Sequence, residues 1–404
     1  MKKVIYVDNN ATTMVADEVK QAMLPFLSDL YGNPSSMHNF GGQVARHIRA
    51  ARESLAELLG AHPEEIVFTS CGTESDNAAI VGTLRANREK RHIVTSRVEH
   101  PAVRSLCQYL QKEGYMVTEV AVDREGMLDM KMLEDSITES TAVVSIMYAN
   151  NETGVIFPVE KIAEMCKAKG VPFHTDAVQA VGKLPIDLSK SSIDLLSLSG
   201  HKLHAPKGVG ALYIRRGTRI SPFMIGGHQE HGRRGGTENV ASIVGLGVAA
   251  DLARRNLTVE NTKVKAMRDK LEKAILSNTP ECFLNGRKDQ RLPNTTNISF
   301  EYVEGEAILL MLDSLGICAS SGSACTSGSL EPSHVMRAMG VPFTAAHGST
   351  RFSLSIYNTE EEIDYIIDNI PKVIKRLKEI SPFNKFSDIK TDFGVGLKGH
   401  THSH

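Results

Sequence analysis

The segment Ile193-Asp194-Leu195-Leu196-Ser197-Leu198-Ser199-Gly200-His201-Lys202 joins an apolar run over 193–198 to a polar turn that ends in a lysine. Between about residues 45 and 215, similar short apolar runs alternate with amphipathic helical patterns. Buried strands that alternate with helices are typical of a parallel sheet covered by helices on both faces. Ligands bind such sheets at the carboxyl ends of the strands. The turn after residue 198 is therefore a predicted part of a binding site.

The composition is that of a globular protein with a sizeable core. The chain has 404 residues, of which 41% are hydrophobic, and its 46 basic and 47 acidic residues leave a net charge of −1. A near-neutral chain lacks the broad basic field that nucleic-acid binding needs. No apolar run reaches the roughly 20 residues of a membrane span, and no signal-peptide core follows the first methionine. The six cysteines are scattered, unlike those of a secreted disulfide framework. Together these features predict a cytoplasmic protein without membrane or nucleic-acid partners.

A second, smaller unit is predicted after a long helical pattern over about 238–278. The expected large domain covers 15–260, the small α+β domain combines 1–14 with 261–382, and 383–404 form a loosely ordered tail. The boundary carries no Gly/Pro linker, so the two units are expected to share a continuous helix. The small unit is predicted to contain strands near 296–300 and 349–355 and helices near 304–315, 332–339 and 359–379.

Residues at other predicted strand ends favour a catalytic role for Lys202. A strand-end lysine is a candidate for Schiff-base chemistry, because partial burial lowers the pKa of the ammonium and frees the amine. A lone lysine would more often lie on the surface, but Asp176 and Gln179 follow another strand. A carboxylate there can keep a pyridinium nitrogen protonated, and the amide can bond a phenolate oxygen. These contacts tune pyridoxal phosphate as an electron sink.

Three further strand ends supply complementary groups. Gly72 and Thr73 open a predicted helix, whose N-terminal N–H groups form a phosphate site. His100 precedes Pro101 at a helix start, where the histidine serves either as a cap or as a ring that stacks on a flat cofactor and relays protons. Asn151 lies in a turn that either reflects local turn chemistry alone or contacts a substrate or cofactor oxygen. Together these residues predict a pyridoxal-phosphate site.

Two glycine-rich loops remain. The basic loop 226–237 could hold an anion through its glycines and arginines, or be a flexible surface loop. The second loop, 319–329, places Cys325 among eight Ser, Thr and Gly residues. A cysteine in such a polar loop is expected to be exposed and, with some thiolate character, nucleophilic. Gly322 and Gly328 are candidate hinges for it.

With these motifs the chain resembles the cysteine desulfurases of the class V aminotransferase superfamily, of the NifS and IscS type and nearer to NifS. The resemblance runs from Tyr6 to about Pro382. It implies the aminotransferase-like α/β fold, with a mainly parallel sheet in the large domain. The segments that carry it most specifically are Gly32–Ser36, Phe68–Asp76, His174–Gln179, Ser199–Gly210 and Ser320–Pro332.

The resemblance also implies a role for each site residue. Lys202 forms the Schiff base with pyridoxal 5′-phosphate, His100 stacks on it and shares the catalytic proton transfers, and Cys325 becomes persulfidated. The resemblance implies substrate contacts from Asn151 and Arg351, and cofactor contacts from Gly72, Thr73, His100, Asn151, Asp176, Gln179, Ser199, His201, Lys202 and, across the dimer, Thr237.

The activity implied by the resemblance is conversion of L-cysteine to L-alanine, with the sulfur held as a persulfide on Cys325. A homodimer, a NifU- or IscU-like scaffold as sulfur acceptor, and iron–sulfur cluster assembly, including that for nitrogen fixation, are implied with it. No resident metal site is expected, and any iron–sulfur ligation by Cys325 is transient. A selenocysteine lyase, a small-substrate aminotransferase and a non-catalytic docking protein remain alternatives. The sulfur acceptor stays open between nitrogenase assembly, general cluster assembly and tRNA.

Overall fold

The computed structural model describes residues 4–321 and 332–381. Its strands are β1 (Ile5–Tyr6), β2 (Ile66–Thr69), β3 (His92–Ser96), β4 (Met116–Val120), β5 (Thr141–Ser145), β6 (Phe173–Asp176), β7 (Leu195–Ser199), β8 (Gly210–Ile214), β9 (Cys282–Leu284), β10 (Thr295–Phe300), β11 (Ile317–Cys318) and β12 (Ser349–Ser353). Its helices are α1 (Asp17–Met23), α2 (Pro25–Ser28), α3 (Asn39–Leu59), α4 (Gly72–Ala86), α5 (Pro101–Lys112), α6 (Met130–Ser136), α7 (Val159–Ala168), α8 (Val240–Val259), α9 (Lys265–Asn278), α10 (Gly305–Ser314), α11 (His334–Ala338), α12 (Phe343–Ala346) and α13 (Glu360–Ile380).

A seven-stranded sheet in the order β2-β8-β7-β6-β5-β3-β4 forms the centre of the larger part of the molecule. All its strands are parallel except β8, which is antiparallel to both of its neighbours. Strand β8 follows β7 after the short stretch 200–209, and a parallel return would need a longer crossover. Every residue of β3, β5 and β7 is buried, as expected for strands covered on both faces. The predicted mainly parallel α/β fold is confirmed.

Helix α3 shows how the sheet is covered. Its apolar residues recur at helical spacing and are buried, and the helix ends at Gly60 in the left-handed conformation with a φ of 61°. Helix α3 packs against α8 so closely that a Cβ on Gly247 would lie 2.5 Å from the Cα of Ala51. Glycine is therefore required where the two helices cross.

The second part of the structure contains two smaller sheets, β12-β10-β9 and the pair β1-β11. Their side chains share a separate apolar cluster with α9, α10 and α13. Helices α8 and α9 are continuous through the π-helical turn Glu260–Val264, as predicted for 238–278. Helix α11, by contrast, buries Val335 and Met336 in the cluster of the large sheet. The division at residues 14 and 260 therefore stays a prediction.

Two further expectations concern membrane spans and the residues that the structure does not describe. Over the described part of the chain, no helix combines the length and apolar character that a membrane span needs. The predicted tail, 383–404, and Cys325 both lie outside the described residues.

Candidate active site

A cavity of about 620 Å³ opens at the carboxyl ends of the parallel strands. It gathers predicted site residues from β6, β7, β12 and the starts of α4 and α5. The predicted residues that line it are Gly72, Thr73, His100, Asn151, Asp176, Gln179, Ser199, His201, Lys202 and Arg351. Two predicted residues are not among them. Thr237 lines a smaller pocket, and Cys325 is outside the described range.

Lys202 lies on the 3₁₀ turn that follows β7. Its Nζ donates hydrogen bonds to the carbonyl oxygens of Asn10 at 2.5 Å and Ala11 at 2.7 Å. Burial, together with the positive charges of Arg351 and Lys183, lowers the pKa of the Lys202 ammonium to about 7. A large fraction of Lys202 therefore carries a free amine at neutral pH, as a nucleophile requires.

The end of β6 supplies a buried carboxyl group to the same cavity. Asp176 Oδ1 accepts a hydrogen bond from the backbone N–H of Val178 at 2.9 Å, and burial raises the pKa of Asp176. Asp76, from α4, also faces the cavity, and its buried Oδ1 has no hydrogen-bond partner in the structure. Burial and the charge of Asp176 raise the pKa of Asp76 as well. A bound cationic group would stabilise this pair of carboxyls.

His100 is a helix cap whose ring also lies at the cavity, so its stacking and proton-transfer roles stay predictions. It is the N-cap of α5, where its Nδ1 accepts a hydrogen bond from the N–H of Ala102 at 3.1 Å, and its ring also lines the cavity. Burial lowers the pKa of His100, so the imidazole is largely neutral near pH 7 and able to accept a proton.

Gln179 and the start of α4 provide polar groups for the remaining edges of a planar ligand. Gln179 Nε2 donates to the carbonyl of Asn10 at 3.0 Å, whereas the buried Oε1 has no partner in the structure. The first N–H groups of α4, at Gly72 and Thr73, have no acceptor within their own helix. A Cβ at residue 72 would lie 2.8 Å from Val178 Cγ2, so glycine keeps this turn open.

These groups fit pyridoxal phosphate. Asp176 offers a carboxylate for a ring nitrogen, Gln179 the second N–H of its Nε2 for a phenolate, and the start of α4 a positive helix end for phosphate. Ser199 and His201 add polar side chains to the same wall. Burial, with smaller contributions from nearby lysines, lowers the pKa of His201 to about 4, so the His201 ring acts as a neutral hydrogen-bonding group.

Another part of the cavity wall carries Arg351, which lies on β12 and is 3% exposed. Its Nη2 is 2.7 Å from Asp8 Oδ1, and its Nη1 donates to the carbonyl of Asn151 at 2.8 Å. The guanidinium thus faces the cavity with two of its nitrogens already paired. The side chain of Asn151 is placed at the cavity wall as predicted.

Sequence reasoning missed several cavity residues. Asn10 acts through its backbone carbonyl, which no sequence motif reveals. Glu152 lies in the same turn as Asn151 and is buried, and its Oε2 accepts a hydrogen bond from Ser333 Oγ at 2.5 Å. Arg104 and Arg337 also line the cavity. Arg104 lies one turn beyond His100 on α5, so its position could have been found from helical spacing.

The arginines of the loop 226–237 are engaged by protein groups. Arg234 forms an ion pair with Glu74, with its Nε 2.9 Å from Oε1, and Arg233 donates to the carbonyl of Glu64 at 2.6 Å. Neither side chain lines the main cavity. The structure therefore favours a loop attached to α4 over one whose arginines hold an anion in this cavity.

Comparisons with known proteins show which family the chain resembles. The family model "Aminotransferase class-V" matches residues 5–366. The cysteine desulfurase NifS of Azotobacter vinelandii is 60% identical over 380 residues, which cover 94% of both chains. A solved NifS-like protein superposes with a TM-score of 0.87 at 40% identity, covering 93% of this chain and 100% of the other. The structure of SspA in complex with cysteine gives a TM-score of 0.78 at 37% identity, covering 88% and 100%. The chain therefore belongs to the class-V aminotransferase family, in which it groups with the cysteine desulfurases of the NifS type.

Proposed function

We propose that this chain is a pyridoxal-phosphate-dependent cysteine desulfurase, which converts L-cysteine to L-alanine and keeps the sulfur as a persulfide on Cys325. The observation that carries the proposal is one cavity that joins the free amine of Lys202, the buried carboxyl of Asp176 and the guanidinium of Arg351. A docking platform would need none of these groups. The relative with 60% identity that is named a cysteine desulfurase supports L-cysteine as the substrate.

Five residues would hold the cofactor by the groups described above. Lys202 is its covalent attachment, Asp176 the partner of its ring nitrogen and Gln179 the partner of its phenolate oxygen. Gly72 and Thr73 would bind its phosphate through N–H groups at the start of α4. The contacts of His100, Asn151, Ser199, His201 and, across a dimer, Thr237 complete the proposed set.

The protein's own groups then position the substrate and move its protons. When bound, pyridoxal phosphate supplies an aldehyde carbon for the substrate amine and a ring that accepts the electron pair released at the α-carbon. Arg351 binds the substrate carboxylate, with the Asn151 amide beside it. Lys202 Nζ, released from its covalent bond, accepts the α-proton, and His100 is the second candidate for this transfer. Asp176 keeps the proton on the ring nitrogen.

Cys325 receives the sulfur. Its thiolate attacks the substrate sulfur, so that an S–S bond forms and the Cβ–S bond breaks. The electron pair stays with the three-carbon fragment, which is protonated and leaves as alanine. The persulfide then passes its sulfur on by thiol exchange. Described residues on either side of Cys325 in the sequence contact residues of the cavity, which supports this role. Ser320 exchanges backbone hydrogen bonds with Arg351, and Ser333 is bonded to Glu152.

The proposed assembly is a cytoplasmic homodimer that delivers sulfur to a NifU- or IscU-like scaffold for iron–sulfur clusters, including those of nitrogen fixation. Thr237 supports the dimer, because it lies outside the main cavity of its own protomer. The exposed apolar side chains of Tyr31, Met37 and Ile225 offer surface that a second subunit would cover.

The test is to incubate the loaded protein with L-cysteine, quantify alanine and map added sulfur by mass spectrometry. We expect one additional sulfur on Cys325. In Cys325→Ala, a single turnover should release less than about a hundredth of the wild-type alanine, because the sulfur lacks its acceptor. Undiminished alanine release from this variant would remove Cys325 from its role.

Two other cysteines serve as controls. Cys282 is half-buried on β9 and does not line the cavity, so Cys282→Ala should behave as wild type. Cys71 does line the cavity. Sulfur mapped to Cys71 instead of Cys325 would contradict the proposed acceptor while leaving the desulfurase activity intact.

A further inference from the structure

Lys183 is a buried lysine that the mechanism above does not use. It lies between β6 and β7, is 5% exposed, and donates one hydrogen bond that the structure resolves, from Nζ to the carbonyl of Gln179 at 3.2 Å. Burying an ammonium costs free energy, and an apolar side chain of similar length would avoid that cost. Its position therefore calls for a reason beyond packing.

Hydrogen bonds connect Lys183 to Lys202 through two residues. The Gln179 carbonyl accepts from Lys183, and the Gln179 side chain donates to the carbonyl of Asn10. The same Asn10 carbonyl accepts from Lys202 Nζ. A small cavity of about 30 Å³, with room for one water molecule, is lined by both lysines. The two amines are thus neighbours on either side of Gln179.

Glu260 is a buried carboxyl group whose negative charge favours the protonated state of Lys183. It lines the same small cavity and begins the π-helical turn between α8 and α9. The next residue, Asn261, donates from its side chain to the carbonyl of Lys183 at 2.9 Å. Lys183 and Glu260 are therefore two buried groups of opposite charge that line one small cavity and interact electrostatically, although Glu260 Oε2 has no hydrogen-bond partner in the described part of the chain.

We propose that Lys183 is a positioning residue that keeps the amine of Lys202 unprotonated, and that Glu260 holds Lys183 in the charged state this needs. A fixed positive charge close to an ammonium favours loss of its proton, as in other enzymes with nucleophilic lysines. The inference deepens the proposed function, because it explains how Lys202 becomes available for the cofactor aldehyde and for proton transfer.

Other charged groups act on Lys202 from the surrounding elements. Arg351 on β12 acts in the same direction as Lys183, whereas Asp8 and Asp176 favour the protonated amine. The imidazoles of His100 and His201 also interact with Lys202. Arg351 is already paired with Asp8, so Lys183 is the cation that can be removed without altering the substrate site.

The test measures the protonation of Lys202 directly. Full-length protein, freed of cofactor with hydroxylamine, is labelled with a limiting amount of acetic anhydride over a pH series, and the Lys202 peptide is quantified by mass spectrometry. In wild type the labelling midpoint should lie near pH 7. In the variant Lys183→Met/Glu260→Gln, which removes the pair without leaving an unpaired charge, the midpoint should rise by about 1 pH unit. The conservative single variant Lys183→Arg, which keeps the positive charge, should retain the wild-type midpoint.

A second readout uses the loaded enzyme. The pH at which the absorbance of the bound cofactor changes should also rise in the double variant. In Lys183→Arg it should equal the wild-type value. An unchanged labelling midpoint in the double variant would overturn the inference, whatever its activity. Conversely, failure of wild type to form alanine would refute the proposed function and leave the labelling result valid, because labelling needs neither cofactor nor substrate.

Discussion

The two walls of the cavity differ in how many of their polar atoms have partners. On the cofactor wall, formed by Asp76, Asp176, Gln179 and Lys202, Asp76 Oδ1 and Gln179 Oε1 are buried without a hydrogen bond. On the arginine wall, formed by Asp8, Asn151 and Arg351, the guanidinium already bonds a carboxylate and a carbonyl.

The difference indicates two modes of binding. Unpaired buried groups are costly, and both unpaired atoms of the cofactor wall are acceptors, so this wall is stabilised by a ligand that brings positive charge or hydrogen-bond donors. On the arginine wall, Arg351 Nε is buried without a partner among the described residues, but both Nη atoms are bonded, so an incoming carboxylate must share them with Asp8 and the Asn151 carbonyl. The first wall thus suits a group that stays bound, and the second a substrate that enters and leaves at each turnover.

The largest effect is expected from Asp176→Asn. Asparagine can still accept the hydrogen bond from Val178, but it cannot hold a positive ring nitrogen. Because charge that develops in the reaction is then left without its partner, kcat should fall by about 10²- to 10³-fold. Steady-state alanine formation, together with the absorbance of the bound cofactor, measures the loss.

A matched control exists on the neighbouring strand connection. Asp194 is also buried enough to have a raised pKa and accepts a backbone hydrogen bond from Phe173 at 2.9 Å, but it does not line the cavity. Asp194→Asn should keep kcat within about threefold of wild type. Equal losses in both variants would show that the effect of Asp176→Asn comes from folding and not from the cofactor wall.

On the arginine wall, Arg351→Lys should act mainly on KM. Lysine keeps the positive charge but lacks the planar fork that bonds a carboxylate with two nitrogens. We expect KM for L-cysteine to rise by about 10- to 100-fold, with a smaller change in kcat. Arg268→Lys is the control, because Arg268 is a buried arginine that bonds the carbonyls of Leu292 and Thr295 outside the cavity. A fall in kcat at unchanged KM would contradict the substrate role.

Sequence reasoning reached the cofactor wall more fully than the arginine wall. Asp176 ends one buried strand and Lys202 follows another, and parallel strands bring their carboxyl ends to one edge. The pairing of Asp8 with Arg351 joins residues 343 positions apart and depends on how β12 packs beside the N-terminal segment. Local spacing carries no information on such a contact, and Arg351 was predicted only from the family resemblance.

The same limit applies to the fold. Strands β1 and β11 have two residues each, too few for a periodic pattern. The reversed direction of β8 depends on the short connection after β7, which composition alone does not reveal. The pair Lys183–Glu260 escaped notice because each residue alone resembles a solvated surface charge.

Asp8→Asn tests whether Asp8 competes with the substrate. If it does, removing its charge leaves Arg351 freer for the substrate carboxylate, and KM should fall by about 2- to 5-fold, because one of the two competing carboxylates is gone. A rise in KM would instead show that Asp8 holds Arg351 in its binding position. Asp17→Asn, at an exposed pair with Lys20, is the control for a change of net charge.

The smallest effect concerns the buried carboxyl behind the cofactor wall. Glu99 is fully buried, and its Oε1 accepts hydrogen bonds from Ser96 Oγ and the N–H of Met147. Its Oε2 has no partner in the structure. Burial raises the pKa of Glu99 from 4.5 to about 8. Between these two pH values the folded protein keeps a proton that the unfolded chain has lost, so stability falls as pH rises through this window.

Glu99→Gln removes this dependence while retaining an oxygen for both hydrogen bonds. In cofactor-free protein, the difference in apparent Tm between the variant and wild type should therefore increase from pH 4.5 towards pH 8 and level off above it, reaching about 3–5 °C. Glu113→Gln, at an exposed position after α5, should show no such trend. A constant difference across the series would mean that Glu99 is ionised in the folded protein. A full negative charge would then lie close to Asp176. The electrostatic stabilisation of a cationic ring would come from Glu99 as well as from Asp176.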